Sequence, residues 1–431
     1  MHRQISLTTN QASLILAGLF PNLILFESLV SGWTVGRHPY KLLVFAAGTS
    51  ALVALAFYLS WRAAMLDNSS LRAQHKTTLG RAEAVVLAAY LLALSSLTVR
   101  LAVGAYGYYR NIFTDPAGPG FYGPDPTFGV LWLIWSVLAV SGGFPGLARS
   151  NRFWAPASLA MATGVAVSFW RQIATWIVHP LERVGWTESD AVLGPVLGYG
   201  LPLALVPTLL AARTIVGAKP AQIVMRGVAL PLFGTIVLIA LALAGSSLRT
   251  SEILGFWYVA RNATSPMSEA KLVLVTLTLL PIARLAALTL IQLFGPLGPR
   301  APWLAAALLI AVPALRLDGG GNGFDEPLLL WSGFLACILA GAKAGAFLTK
   351  KLLSRDAGRT GEWAGVGFGL FIGLGLASFG VFKLGSEYMI FRLFGWPGGS
   401  SAIYFWAYLA SLLGTIWSAP PPKARQAAGL E

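Results

Sequence analysis

The chain has 431 residues, of which 56% are apolar and only 11% charged, with a formal net charge of +14. An ordinary soluble domain is about 25% charged, so no water-facing surface can be assembled from this composition. A basic excess in a soluble protein would point to nucleic acid. Here Lys and Arg lie mostly in short loops between apolar runs, where they orient membrane spans, and no nucleic-acid partner is expected.

Cysteine and histidine usage narrows the chemistry further. The single cysteine, Cys337, sits inside an apolar run, so the chain alone offers no disulfide, zinc cage or iron–sulfur site. His2, His38, His75 and His179 are scattered in or near loops, which is wrong for paired haem ligands within spans. No G-x-x-x-x-G-K-[ST] phosphate loop is present. No cofactor or metal is expected.

The pattern of apolar runs predicts an all-α integral membrane protein, a polytopic bundle of about 12 transmembrane helices, with 11 as the alternative. One transmembrane domain accounts for residues 1–431, with short tails at 1–11 and 419–431. In chain order the spans are expected at 12–31, 42–61, 83–107, 128–148, 154–178, 191–212, 228–245, 272–294, 302–315, 328–348, 364–382 and 401–418. The first run is too long for a signal peptide, carries Pro21, Asn22 and Glu27, and lacks a cleavage site, so it reads as a span. Loops on the N-terminal side, such as those holding Arg62 to Arg81, Arg213 to Arg226 and Lys350 to Arg359, carry more Lys and Arg than the other side. The positive-inside rule then puts both termini in the cytoplasm of a bacterial-type inner membrane, with the lipid bilayer as the obligatory partner.

Helix breaks come next. Gly18, Pro21 and Asn22 interrupt the first span, and Gly194, Pro195, Gly198, Gly200, Pro202 and Pro207 the sixth. Breaks in the first and sixth spans are what a five-plus-five inverted repeat with a midplane site would show. The Gly198-Tyr199-Gly200 triplet lacks the pore-helix context of a potassium filter. His179, Glu182, Glu188 and Asp190 make a polar outer loop, and Ser251 to Asn262 and Ser386 to Trp396 suit short interfacial helices.

Arg284 is the sharpest charged position, about twelve residues into the eighth span by this reading. Thr276 and Gln292, eight residues before and after it, extend a polar stripe down that helix. A guanidinium cannot neutralise itself, so Arg284 must cap carbonyls in the bundle or face a substrate. Glu27, Arg100 and Arg171 lie toward the outer ends of their spans and would form an ion-pair cluster or a basic vestibule, although Arg171 can also snorkel to the interface. Snorkelling likewise accounts for Lys343.

The ninth span is short, contains Pro302 and Pro313, and reads as re-entrant or incomplete. Asp318 to Glu326 has calcium-loop ingredients without EF-hand spacing and reads as a flexible turn. Gly333, Cys337, Gly341 and Gly345 in the tenth span, and Gly365, Gly369, Gly373 and Ala377 in the eleventh, repeat every four residues, predicting that these two helices pack face to face.

Long apolar helices with tiny loops favour a transporter or flippase for an anionic small molecule or lipid-linked substrate. The candidate substrate residues are Arg284, Glu27, Arg100, Arg171, Thr276 and Gln292. The alternatives are a membrane-embedded glycan or lipid transferase using His179, Asp115 and Asp125, and a non-catalytic subunit of a larger complex. The oligomeric state is open.

Overall fold

The computed structural model describes residues 7–20, 39–66, 78–114, 126–168, 170–178, 196–211, 215–217, 219–246, 279–318, 325–384 and 401–420. In chain order the helices are α1 (Thr9–Ala17), α2 (Pro39–Leu66), α3 (Thr78–Thr114), α4 (Pro126–Ala139), α5 (Gly143–Ser168), α6 (Trp170–Val178) and α7 (Val196–Ala211). Then follow α8 (Pro220–Val224, continuing after a π-helical turn as Leu230–Ser246), α9 (Leu279–Leu293), α10 (Ala301–Asp318), α11 (Asp325–Leu352), α12 (Gly358–Leu384) and α13 (Ser401–Ser418). A two-residue parallel pair, Leu7–Thr8 with Ile215–Val216, is the sole extended pairing among the described residues. The multi-pass helical membrane fold expected from the sequence is what the chain adopts. Leu43–Met65, Gly80–Val99, Pro220–Leu238, Gly295–Ala314 and Pro327–Leu352 are each long and apolar enough to cross a bilayer on their own.

Several boundaries differ from the sequence reading, and at two spans the difference moves polar residues from a loop onto a helix. The fourth span was expected to run to Ala148, but α4 ends at Ala139 and α5 begins at Gly143. Gly142 and Gly143 both take positive φ, which reverses the chain inside a stretch that hydropathy reads as continuous. Arg149, Asn151 and Arg152 therefore lie on a helix and not in a loop. The seventh span starts eight residues early, at Pro220, so Gln222 and Arg226 are helical as well.

In the ninth span, α10 follows a 3-10 turn, Gly295–Arg300. Pro313 has no N–H to give the carbonyl of Leu309 four residues back. Trp132 of α4 supplies the missing donor: its indole Nε1–H reaches the Leu309 carbonyl at 2.9 Å in a buried setting. A proline inside the helix is thus tolerated because a neighbouring side chain satisfies the group it frees.

The glycine rows correctly signal close approach, but their principal partner is α13. A Cβ at Gly341 or Gly345 of α11 would collide with the carbonyls of Tyr408 and Leu412, and one at Gly365 of α12 with Thr415. Direct contact of α11 with α12 exists at Gly373, which accommodates the ring of Phe334. Hydrogen bonds reinforce the seam: Ser411 Oγ–H donates to the Ile338 carbonyl at 2.7 Å and Tyr404 O–H to the Leu330 carbonyl at 3.1 Å. Small residues let the backbones approach where no hydrophobic effect drives helices together.

Candidate solute site at two interrupted helices

The segment that opens α1 is fixed first. Thr8 caps the helix reciprocally with Gln11, and Leu7–Thr8 pairs with Ile215–Val216 just beyond α7. The helix lasts nine residues and stops at Ala17, then turns through Gly18, Leu19 and Phe20. Such an end leaves carbonyls without intrahelical donors, and deep in a bundle each needs another partner.

Two other helices supply donors, and a third packs close. Asn151 of α5 is buried, and its Nδ2 donates to the carbonyls of Leu14 at 3.0 Å and Ile15 at 3.4 Å. Gly18 makes room for this contact, because a Cβ there would displace the Asn151 amide from its place over α1. From α7, the Tyr199 hydroxyl donates to the Leu19 carbonyl. On α8, Gly227 in the π-helical turn Met225–Ala229 lies against Ser13 and Leu16, where a Cβ would sit 2.9 Å from the Ser13 carbonyl oxygen. π-turns of this kind recur at functional sites.

The second break is in α7. Helix geometry gives way to a 3-10 turn, Pro202–Leu205, because Pro202 cannot donate to the Gly198 carbonyl. Tyr199, just before the break, has its own carbonyl satisfied by the Tyr90 hydroxyl of α3 at 3.3 Å. Gly200 allows α7 to approach Val53 of α2. The result is a buried relay, Tyr90 to Tyr199 to Leu19, that ties α3 and both interrupted helices into one locus. Asn151 Oδ1 remains buried there with no partner among the described residues.

The sequence-selected residues fall in different places. Arg284 is half-buried on α9, and its guanidinium donates to the Ser141 carbonyl at 3.0 Å and the Gly146 carbonyl at 3.1 Å. It thereby staples the α4–α5 turn, while its Nε finds no partner among the described residues. Gln292, two turns further along α9, lines a cavity beside the same turn. Arg171 is exposed on α6 and rests its guanidinium 5.5 Å from the Trp170 ring centre. Arg100 is on α3 with its side chain outside the described set, and Glu27 and Thr276 lie outside the described residues, as do His179, Asp115, Asp125 and the two proposed interfacial segments.

Two charged positions carry roles the sequence reading did not give them. Lys343 does not snorkel: it is 5% exposed and pairs with Glu83 of α3, itself 4% exposed. Asp325, read as part of a flexible turn, is buried at the start of α11 and accepts from Ser96 Oγ at 3.2 Å. Tyr199, Tyr90 and Asn151 are the site residues the sequence reading passed over. The only signal was the run of Gly and Pro around Tyr199.

No protein-family model matches the chain, and no curated protein matches it. Solved structures do. Mhp1, a nucleobase-cation-symport-1 family transporter in a closed conformation with bromovinylhydantoin bound, aligns with TM-score 0.63 and 15% identity over 96% of this chain and 92% of its own. MhsT in complex with L-phenylalanine gives 0.58 and 14% over 96% and 99%. A Na+-coupled sialic acid symporter in a substrate-bound outward-open state gives 0.55 and 13% over 96% and 92%. At these identities the likeness is one of fold: the chain has the LeuT-like architecture of multi-pass transporters.

Proposed function

We propose that this protein is a secondary transporter that moves a small solute by alternating access around the meeting point of α1 and α7. The observation that carries this reading is the pairing of two interrupted helices through Tyr199 and the Leu19 carbonyl. Interrupted helices expose backbone groups that bind solute and ion near the bilayer midplane. Pro202 leaves the Gly198 carbonyl without its helical donor, which adds a backbone acceptor one residue from Tyr199. Asn151 Oδ1, buried beside the end of α1 with no partner among the described residues, provides a hard oxygen donor for a coupling cation. Mhp1 and MhsT hold small molecules, which favours a small solute over a lipid-linked one. Both termini are assigned to the cytoplasm of the inner membrane by the distribution of Lys and Arg.

Alternating access can be tested before the solute is known. In a Cys337→Ser background, Ala17→Cys places one thiol at the end of α1. Transport requires that a membrane-impermeant maleimide reach it from each side in turn, with rates that shift when Na+ or a proton gradient is imposed. A thiol reachable from one side only under every ionic condition would overturn the proposal.

A further inference from the structure

Between the end of α11 at Leu352 and the start of α12 at Gly358 the chain reverses through a short, well-bonded turn. The Thr349 carbonyl accepts from the N–H of Leu353 at 3.0 Å and of Arg355 at 3.3 Å, and Asp356 Oδ1 accepts from the Gly358 N–H at 3.1 Å. Ser354 and Gly358 both take positive φ, which a residue with a side chain adopts only where its surroundings hold it. The turn therefore presents its side chains from a fixed frame. Lys350 and Lys351 close α11, Arg355 lies within the turn and Arg359 opens α12, so four cations fall within ten residues and Asp356 is the one acid among them. Lys350, Lys351 and Arg359 are exposed and Arg355 is half-buried. From α2, the Arg62 guanidinium lies 5.9 Å from the centre of the Phe347 ring, one turn before Lys351 on the same face of α11.

Apolar side chains lie next to these cations. Leu352, between Lys351 and the turn, is 71% exposed, and Trp417 near the end of α13 is 78% exposed. The Ser418 hydroxyl donates to the Gly361 carbonyl at 3.3 Å, which sets the end of α13 beside the first turns of α12. Trp417 meets Phe368 of α12 edge-on with ring centres 5.6 Å apart. Trp363, four residues after Arg359, is about 6 Å further along α12 at 1.5 Å per residue. Cations thus stand at the tip of the two helices, with exposed Trp rings toward the membrane from them. A phospholipid has the same order, phosphate first and acyl chain below. Free phosphate would engage the cations alone and leave Leu352 and Trp417 unused, while a zwitterionic headgroup brings its own ammonium against the cations. Juxtamembrane clusters of Lys and Arg attract anionic lipid, and Trp favours the level of the headgroups. We propose that the α11–α12 turn is a binding site for an anionic phospholipid, its phosphate held by Lys350, Lys351, Arg355 and Arg359 and its chains laid against Leu352 and Trp417. Such an occupant would bridge α11, α12 and α13, so binding stabilises the folded chain.

The test uses the purified full chain in detergent micelles at low salt, titrated with dioleoyl phosphatidylglycerol, dioleoyl phosphatidylcholine or inorganic phosphate, with the melting temperature as readout. Phosphatidylglycerol should raise it in a saturable way, and the other two should not. In Lys350→Gln with Arg359→Gln the apparent Kd for phosphatidylglycerol should rise about tenfold or more. Arg149→Gln with Arg152→Gln, which removes two exposed cations of α5, should leave that Kd unchanged. Lys351→Gln with Arg355→Gln replaces the first pair should that variant fold poorly. No response to phosphatidylglycerol, an equal response to phosphatidylcholine or phosphate, or an equal loss in the α5 variant would each overturn the assignment. The readout is independent of transport, so such a result leaves the alternating-access reading untouched.

Discussion

Tyr199 gives its hydroxyl proton to the backbone carbonyl of Leu19, a residue 180 positions away, and both lie at points where a helix is interrupted. Each break frees backbone groups, and the phenol of one satisfies the carbonyl of the other. Tyr90 repeats the arrangement one step back by donating to the Tyr199 carbonyl. Removing the hydroxyl in Tyr199→Phe should destabilise the protein by about 1 to 3 kcal/mol, the cost of leaving a buried acceptor unmet. Tyr90→Phe should cost a similar amount. Because the two bonds share Tyr199, the double variant should lose less than the two single losses combined, which thermal or denaturant unfolding in detergent would reveal. Full additivity would mean that the relay is not coupled.

Trp132 and Pro313 form a second compensating pair. Trp132→Phe should cost about 1 to 3 kcal/mol by orphaning the Leu309 carbonyl. Pro313→Ala in the same background returns an N–H four residues after Leu309 and should recover most of that loss. Unfolding measurements on the parent, the single variants and the double variant decide the matter, and absence of rescue would detach the indole from the proline.

Breaking the buried ion pair should be worse than deleting it. Lys343→Met removes the ammonium that pairs with Glu83 in a buried position and should cost about 3 to 5 kcal/mol. Glu83→Leu with Lys343→Met removes both charges and should melt closer to the parent. If the double variant is the least stable of the set, the charges contribute net stability.

Two glycines separate packing from composition. Gly341→Ala forces a methyl group into the Tyr408 carbonyl of α13 and should destabilise by about 1 to 3 kcal/mol. Gly375→Ala, on a part of α12 where a Cβ meets nothing within 4 Å, should be neutral or slightly stabilising. Comparable melting of both variants would show that α11 and α13 part more easily than their contacts imply.

How far the sequence could be read depends on what each feature rests on. The span at Ser401–Ser418 was legible to the residue because an apolar run is bounded by Gly398, Gly399 and Ser400 on one side and a proline triplet on the other. The α4–α5 turn was missed although Ser141, Gly142, Gly143, Pro145 and Gly146 mark it, because hydropathy averages them with the apolar residues on either side. Four-residue spacing of glycine told that a helix comes close without telling which one. The breaks in the first and sixth spans were visible as Gly and Pro. That Tyr199 bridges them was invisible, as it depends on contacts between segments far apart in sequence.

Glu83 and Lys343 also set a problem for biosynthesis. During synthesis at about 5–20 residues per second, Lys343 is made roughly 13 to 50 seconds after Glu83. Through that interval α3 must enter the membrane before the Lys343 ammonium has been made. Insertion scales put a charge at a helix centre at about 2.5 to 3.5 kcal/mol, and Glu83, near one end of the span Gly80–Val99, stands below that. The contact that this pair makes between α3 and α11 is closed only once α11 has been made, after most of the bundle.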